Sequence, residues 1–455
     1  MPVYDESRES LLHEGNENRS NSQSALSSST DGEGGKRQLD GSSSSSSASS
    51  SRLSMSMGAK ELSAGLSMLN SIVGMGLVAL PFAVDRAGLA MGLLIHFVAA
   101  TLTAYCAFLL GDMMTETKTE NVMDLSVKGG APFAGKLVQL AIVACVFMDA
   151  MAGSILLADN IYDLLGVPLW KTKVALVCVQ CLFAQLKSLS SLGFTSFFGV
   201  AFSFGLCIFL VSLATNKVVV AGKRPETLSK VRIVPGNWIR LGESIGVIFC
   251  SFQIATHADF RASMQKPGAF NTVVFMANIA AFVINLGVGL GGLLLFAGNV
   301  EPEVTTNLSK WGRYGESVVW CLVVIVFTKI PVYHRLLSDN FERLFLPDVD
   351  VHSPEISGHG FREALRCLLC LLVFVAAIFF PAFVEVEGLL GSVLCIFIML
   401  VFPLFMAIKL RAGRSFVESA AFPLLLLSAV AVSVFSTGAV LYKMAMEGFS
   451  RETSW

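Results

Sequence analysis

Asn70-Ser71-Ile72-Val73-Gly74-Met75-Gly76-Leu77-Val78-Ala79-Leu80-Pro81 interrupts an apolar run over residues 62–84. The run is long enough to cross a bilayer as a helix. Its middle is suited to break, because Gly74 and Gly76 weaken the helix and Pro81 supplies no backbone N–H. Hydrocarbon cannot satisfy the groups that such a break frees, so it is tolerated only where protein buries it or where it lines a cavity. Freed carbonyls can hold a cation and freed amides an anionic group, and many secondary transporters build their substrate site in this way. The segment therefore predicts a solute carrier.

Composition supports a multi-span membrane chain. Hydrophobic residues make up 54% of the sequence and charged residues 15%, and the mean hydropathy is +0.66. These values lie far from those of a soluble domain. The net charge is −1, and the basic residues lie scattered through loops, which excludes a nucleic-acid-binding stripe. The ten cysteines, among them Cys178, Cys181, Cys367 and Cys370, fall almost wholly in apolar runs and read as small hydrophobes rather than a disulfide or metal framework. Neither a cofactor nor a bound metal is expected.

Residues 1–57 are Ser-, Asn- and Gly-rich, with a serine tract over 42–51, and are expected to form a disordered tail. Within the tail, Glu6 to Leu12 resembles an acidic dileucine sorting signal with its spacing off by one residue. A transmembrane domain is expected over 58–446 and a short tail over 447–455. Length and charge place about eleven spans, near 62–84, 89–113, 134–165, 172–186, 193–214, 241–265, 272–297, 317–334, 365–383, 389–409 and 417–444.

The sixth span also reads as broken. Ser251, Gln253, Thr256, His257 and Asp259 crowd into one apolar segment, and polar groups at that depth need partners. Interrupted helices five spans apart predict an all-α integral membrane fold of the leucine-transporter type. Two inverted repeats of five helices would form it, with the first and sixth broken and the eleventh an appendage.

Residues 70–81 continue through Phe82-Ala83-Val84-Asp85-Arg86-Ala87-Gly88. Farther on stand Gly388-Leu389-Leu390-Gly391-Ser392 and Pro403, with Ser263-to-Pro267 and Phe296-Ala297-Gly298 as weaker features. With these motifs the chain resembles the amino acid/auxin permease family, in particular its vacuolar and vesicular carriers, over roughly residues 61–444. That family belongs to the amino acid, polyamine and organocation superfamily. The resemblance implies secondary active transport of amino acids coupled to protons or sodium. It would place the substrate against Ser71, Ile72, Val73, Gly74, Met75 and Gly76 of the first span and Ser251, Phe252, Ile254 and Ala255 of the sixth. Phe252 would serve as a lid or side-chain gauge. The physics agrees, since a zwitterion offers one end to free N–H groups and the other to free carbonyls.

Sodium-driven members would hold the ion between the first span and hydroxyls or carbonyls of the eighth. Here the eighth span offers Thr328 beside Lys329. A fixed ammonium there could neutralise the carbonyls that a sodium ion would otherwise bind, which favours protons; Thr328 keeps sodium open, and the bland reading of Lys329 is a side chain snorkelling to the interface. Asp149, in mid-span, and His257 are the proton candidates.

With a cytosolic N-terminus, most basic loops face the cytosol, although the loop over 216–240 opposes the rule. The sequon Asn307-Leu308-Ser309 then lies on the outer side as a glycosylation site. An acidic vacuolar or lysosomal-type membrane is favoured over the plasma membrane. No His-Glu-x-x-His helix or paired membrane aspartates beside a glycine support an intramembrane enzyme. A transporter-like amino acid sensor or a channel would use the same fold.

Overall fold

A computed structural model describes residues 58–73, 75–185, 193–220, 224–253, 256–345, 359–380, 383–411 and 416–447. Gly74, Ile254 and Ala255, assigned above to substrate, lie outside the described residues. So do the tail over 1–57 with its sorting signal and the segment 448–455.

The first span breaks where the glycines stand. α1 (Ala59–Ile72) ends at Val73, a short 3₁₀ segment covers Met75–Ala79, and α2 (Leu80–Ala87) resumes with Pro81 in its first turn, where no N–H is needed. Gly88 follows with φ +75°, and a Cβ there would collide with the backbone of Val234. That close approach lets the 232–233 carbonyls cap the next helix, with Leu89 N donating to Arg232 O at 2.8 Å.

α3 (Leu89–Thr117), α4 (Val122–Lys128), α5 (Pro132–Leu165), α6 (Leu169–Ala184), α7 (Gly193–Thr215) and α8 (Arg224–Lys230) come next. α5 opens on Pro132 and closes on Gly166 at φ +64°, start and stop residues suited to a helix. The sixth span is broken too: α9 (Trp238–Cys250) is capped by Asn237 and stops at Ser251, and α10 (His257–Ser263) restarts it. α11 (Phe270–Leu295), α12 (Val304–Ser309), α13 (Gly312–Phe345) and α14 (His359–Phe379) follow. The tenth span joins α15 (Phe383–Leu389) through π-helical turns at Leu390–Cys395 and Phe397–Val401 to α16 (Phe402–Arg411), and α17 (Phe416–Glu447) is last.

Each expected span overlaps helix among the described residues. Among the described residues, eight stretches are each long and apolar enough to cross a bilayer. Of the others, α6 is short, α9 and α10 are interrupted, and α14 carries Arg362, Glu363 and Arg366 near its start.

Two boundaries depart from expectation. The eighth span, expected over 317–334, runs to Phe345 with Pro331 inside it. Its added turns carry charges that hydropathy reads as loop but that neighbours satisfy: Arg335 pairs with Asp339 at 2.9 Å and Arg343 with Asp259. The tenth span begins at Phe383 rather than 389, which brings Glu385 and Glu387 inside.

The Gly388-x-x-Gly391 motif is a packing device. A Cβ on Gly391 would overlap the Gly246 carbonyl, and one on Gly246 would overlap the Gly388 carbonyl, so α9 and the tenth span touch backbone to backbone. α2 packs on both α9 and α11, which brings the two broken spans together. α17, expected as an appendage, is tied in by Lys443, buried between Glu243 of α9 and Glu385 of α15, the latter at 3.0 Å. Asn307 is buried, accepting from Glu301 N at 2.9 Å and donating to Asn299 O at 2.8 Å. The folded loop therefore engages the amide that a glycan would need, against the expectation from the sequon.

Removing one partner from a buried ion cluster strands the others. Lys443→Met should lower unfolding stability in detergent by about 3–5 kcal/mol, and adding Glu243→Gln and Glu385→Gln should recover part of it. Thermal unfolding of the single and triple variants checks this.

Candidate functional site

The two breaks form one buried centre. Ile72, Val73, Met75 and Gly76 of the first span and Ser251 and Phe252 of the sixth are all buried, and Ser71 is half-buried in the last turn of α1. An imagined Cβ on Gly76 would stand 3.3 Å from the Ser251 Cβ and 3.3 Å from Glu387 Oε2. Gly76 thus allows the first break to lie directly against the sixth and tenth spans. Met75 rests on Gly153 of α5, whose missing side chain leaves room for the thioether. Asn285 Nδ2 of α11 satisfies the Ser251 carbonyl at 2.7 Å. Phe252 meets His96 of α3 edge to face, with ring centroids 5.0 Å apart.

Lys329 does not snorkel. It is 1% exposed, because α13 continues well past it, and its ammonium donates to the carbonyls of Asn70, at 2.7 Å, and Val73. Both carbonyls belong to the C-terminal end of α1, where the helix dipole presents partial negative charge. A cation at that point satisfies the backbone groups that the break frees. Thr328, beside it, donates its hydroxyl to Ile325 O at 2.7 Å. Gly199 of α7 lies against this pair: a Cβ there would be 2.5 Å from Thr328 Oγ1 and would overlap the Asn70 carboxamide oxygen.

Asp149 reaches the same centre. It is 4% exposed, and the Gln253 amide, from the break of the sixth span, donates to it. Gln253 Oε1 in turn accepts from the Cys395 thiol at 2.6 Å, and Cys250 donates to Glu387 at 2.7 Å. His257 lies past the break of the sixth span. It begins α10, packs edge-on to Phe270 at 6.3 Å, and borders a small cavity with Cys106, Leu110 and Phe402. Asp259 binds Arg343 and also accepts from Asn340 at 2.9 Å, which tethers α10 to α13.

The sequence named Asp149, Thr328 and Lys329 as coupling candidates, and the fold brings all three to the breaks, but it passed over Glu387. Hydropathy put Glu385 and Glu387 in a loop. Two signals pointed the other way: Glu387 directly precedes the glycine motif, and Lys443 inside the last span needed carboxylate partners. Cys250 and Cys395, read as small hydrophobes, also serve as thiol donors.

Broken first and sixth spans packed against each other define an all-helical membrane fold of the leucine-transporter type, a five-plus-five inverted repeat. Solved structures agree on the fold. A Na⁺-coupled sialic acid symporter matches with a TM-score of 0.52 at 8% identity, covering 84% of this chain and 90% of its own. A manganese transporter of Eremococcus coleocola matches with a TM-score of 0.51 at 10% identity, covering 87% and 89%. Residues 57–446 match the family described as transmembrane amino acid transporter protein, and the chain belongs to that family. Relatives include Amino acid transporter AVT1E of Arabidopsis thaliana, 22% identical over 366 residues, which span 77% of this chain and 66% of the relative. The Vesicular inhibitory amino acid transporter of Xenopus laevis is 22% identical over 353 residues, spanning 72% and 66%. The chain thus covers just under two thirds of the length of each of these relatives.

Gly199→Ala should force Asn70 and Thr328 apart. A methyl group in so tight a contact costs about 1–3 kcal/mol, expected as a lowered melting temperature in detergent and as reduced uptake per molecule in the membrane. Wild-type values in both would show that the helices can separate there freely.

Proposed function

We infer that the protein is a secondary active transporter of amino acids, coupled to protons and working by alternating access around the breaks in the first and sixth spans. The observation that carries this reading is the Lys329 ammonium on the Asn70 and Val73 carbonyls. It fills the place at the end of α1 where a coupled sodium ion would bind, so the backbone is satisfied without one. The printed names of the relatives support amino acids as the substrate class. "Vesicular" in one of them supports an internal membrane ahead of the plasma membrane.

In this reading the substrate sits across Ser71, Ile72, Val73, Gly74, Met75 and Gly76 and Ser251, Phe252, Ile254 and Ala255. Phe252, held by His96, gauges the side chain. Asp149 belongs to the coupling machinery through Gln253, and His257, at the start of α10, is a second proton candidate. The lipid bilayer and protons complete the set of partners, and the domain proper spans 58–446 after the N-terminal tail.

Proteoliposomes holding the purified protein should accumulate labelled amino acids under an imposed pH gradient and not under a sodium gradient. Sodium-driven uptake would instead assign the ion to Thr328 and the α1 carbonyls. Lys329→Ala should abolish accumulation, since two buried carbonyls lose their charged donor, at about 1–3 kcal/mol each. Removing residues 1–57 should leave flux intact. Binding without flux, together with a signalling output lost on that truncation, would mark a sensor.

A further inference from the structure

Glu387 has no part in the mechanism described so far, yet it lies at the meeting point of the two breaks. Its carboxyl is 0% exposed. Oε2 accepts from the Cys250 thiol and lies against Gly76, while Oε1 has no hydrogen-bond partner among the described residues. An ionised carboxylate left half-satisfied in a dry interior is costly.

The charges around it decide what it needs. α5 contributes Asp149 and Cys145, α13 contributes Lys329 and Tyr333, and the sixth span contributes Cys250, all electrostatically coupled to Glu387 directly or through Asp149. Cys395 adds a thiol from its own span, and Gln253 a neutral amide. The first break presents only backbone at Gly76. Lys443 of α17 is engaged by Glu243 and Glu385. The centre therefore holds one ammonium and two carboxyl groups. With all three ionised it carries one excess negative charge, and a zwitterionic amino acid adds no net charge to correct it. One proton does.

We propose that Glu387 is the group that takes up and releases the coupled proton, with Cys250 and Gln253 in the break of the sixth span linking its state to Asp149 and to the substrate site. This rests on the proton-coupled reading above. Glu387 rather than Asp149 is the carrier because Asp149 already accepts from the Gln253 amide, whereas Glu387 has only a thiol donor and one bare oxygen. The step makes one O–H bond at Oε1, with a proton from the acidic side. It breaks the same bond when the other side opens and water accepts the proton. Cys250 closes α9 and Gln253 lies in the break that follows it, so a rearrangement of the break alters the contact of Asp149 while Glu387 keeps its thiol donor on α9.

The test uses proteoliposomes with the membrane voltage clamped and a labelled neutral amino acid that the wild-type protein accumulates. One proton per substrate gives about tenfold accumulation for a gradient of one pH unit. Glu387→Gln should let the substrate equilibrate to a ratio near one, yet still exchange labelled for unlabelled substrate at equal pH, with exchange no longer dependent on pH. Glu387→Asp should regain part of the pH-driven accumulation. Accumulation by Glu387→Gln at the wild-type ratio would overturn the proposal. So would joint loss of exchange and accumulation that Glu387→Asp does not relieve, the mark of a merely structural carboxyl. Failure of the wild-type protein to respond to pH would instead refute proton coupling itself, independently of Glu387.

Discussion

A helix opened inside a membrane must satisfy its freed carbonyls from within the protein, and here Lys329 does so. Its ammonium holds the Asn70 and Val73 carbonyls at the end of α1. A cation is suited to the negative end of a helix dipole, and burial strengthens the interaction because little water screens it. The contact fixes where α1 stops and joins it to α13. It also places a positive charge at the point where the two breaks meet.

The other polar features follow from that charge. Asp149 and Glu387 approach the same centre from α5 and α15, and Gln253 and Cys250 of the sixth span engage one carboxyl each. Each broken span is thus held by groups from spans that continue unbroken past it, an arrangement suited to two rigid sets of helices that move against each other. Glycines allow the approach. Gly76, Gly199, Gly246 and Gly391 each occupy a contact that leaves no comfortable space for a side chain.

Charge is also managed toward the ends of the spans. Asp259, Asn340 and Arg343 bind α10 to α13, and Gln139 of α5 joins them by donating to Asn340 Oδ1 at 2.8 Å. Lys443 binds α17 to α9 and α15. Each tether engages half of the sixth span, one at α10 and the other at α9. The two halves of the sixth span are thus tied to different neighbours, α9 to α15 and α17 and α10 to α13.

The sequence by itself determined the membrane class, the broken first and sixth spans, and with them the carrier fold. Local chemistry carries that information: long apolar runs, glycines, and Pro81 all act on the backbone wherever the chain goes. It also marked Asp149, because a charged residue deep in an apolar run has few explanations, and Lys329 through the family resemblance at the end of the eighth span. It could not tell that α13 runs on to Phe345, that Lys329 points at α1, that Asn307 is buried, or that Glu385 and Glu387 lie inside a span. Hydropathy scores a charged residue as exposed unless its partner is known, and those partners, Lys443, Cys250, Asp259 and the α1 carbonyls, are far away in sequence. Only tertiary packing sets such pairs together, and so only the structure decided which polar groups are buried and what each one serves.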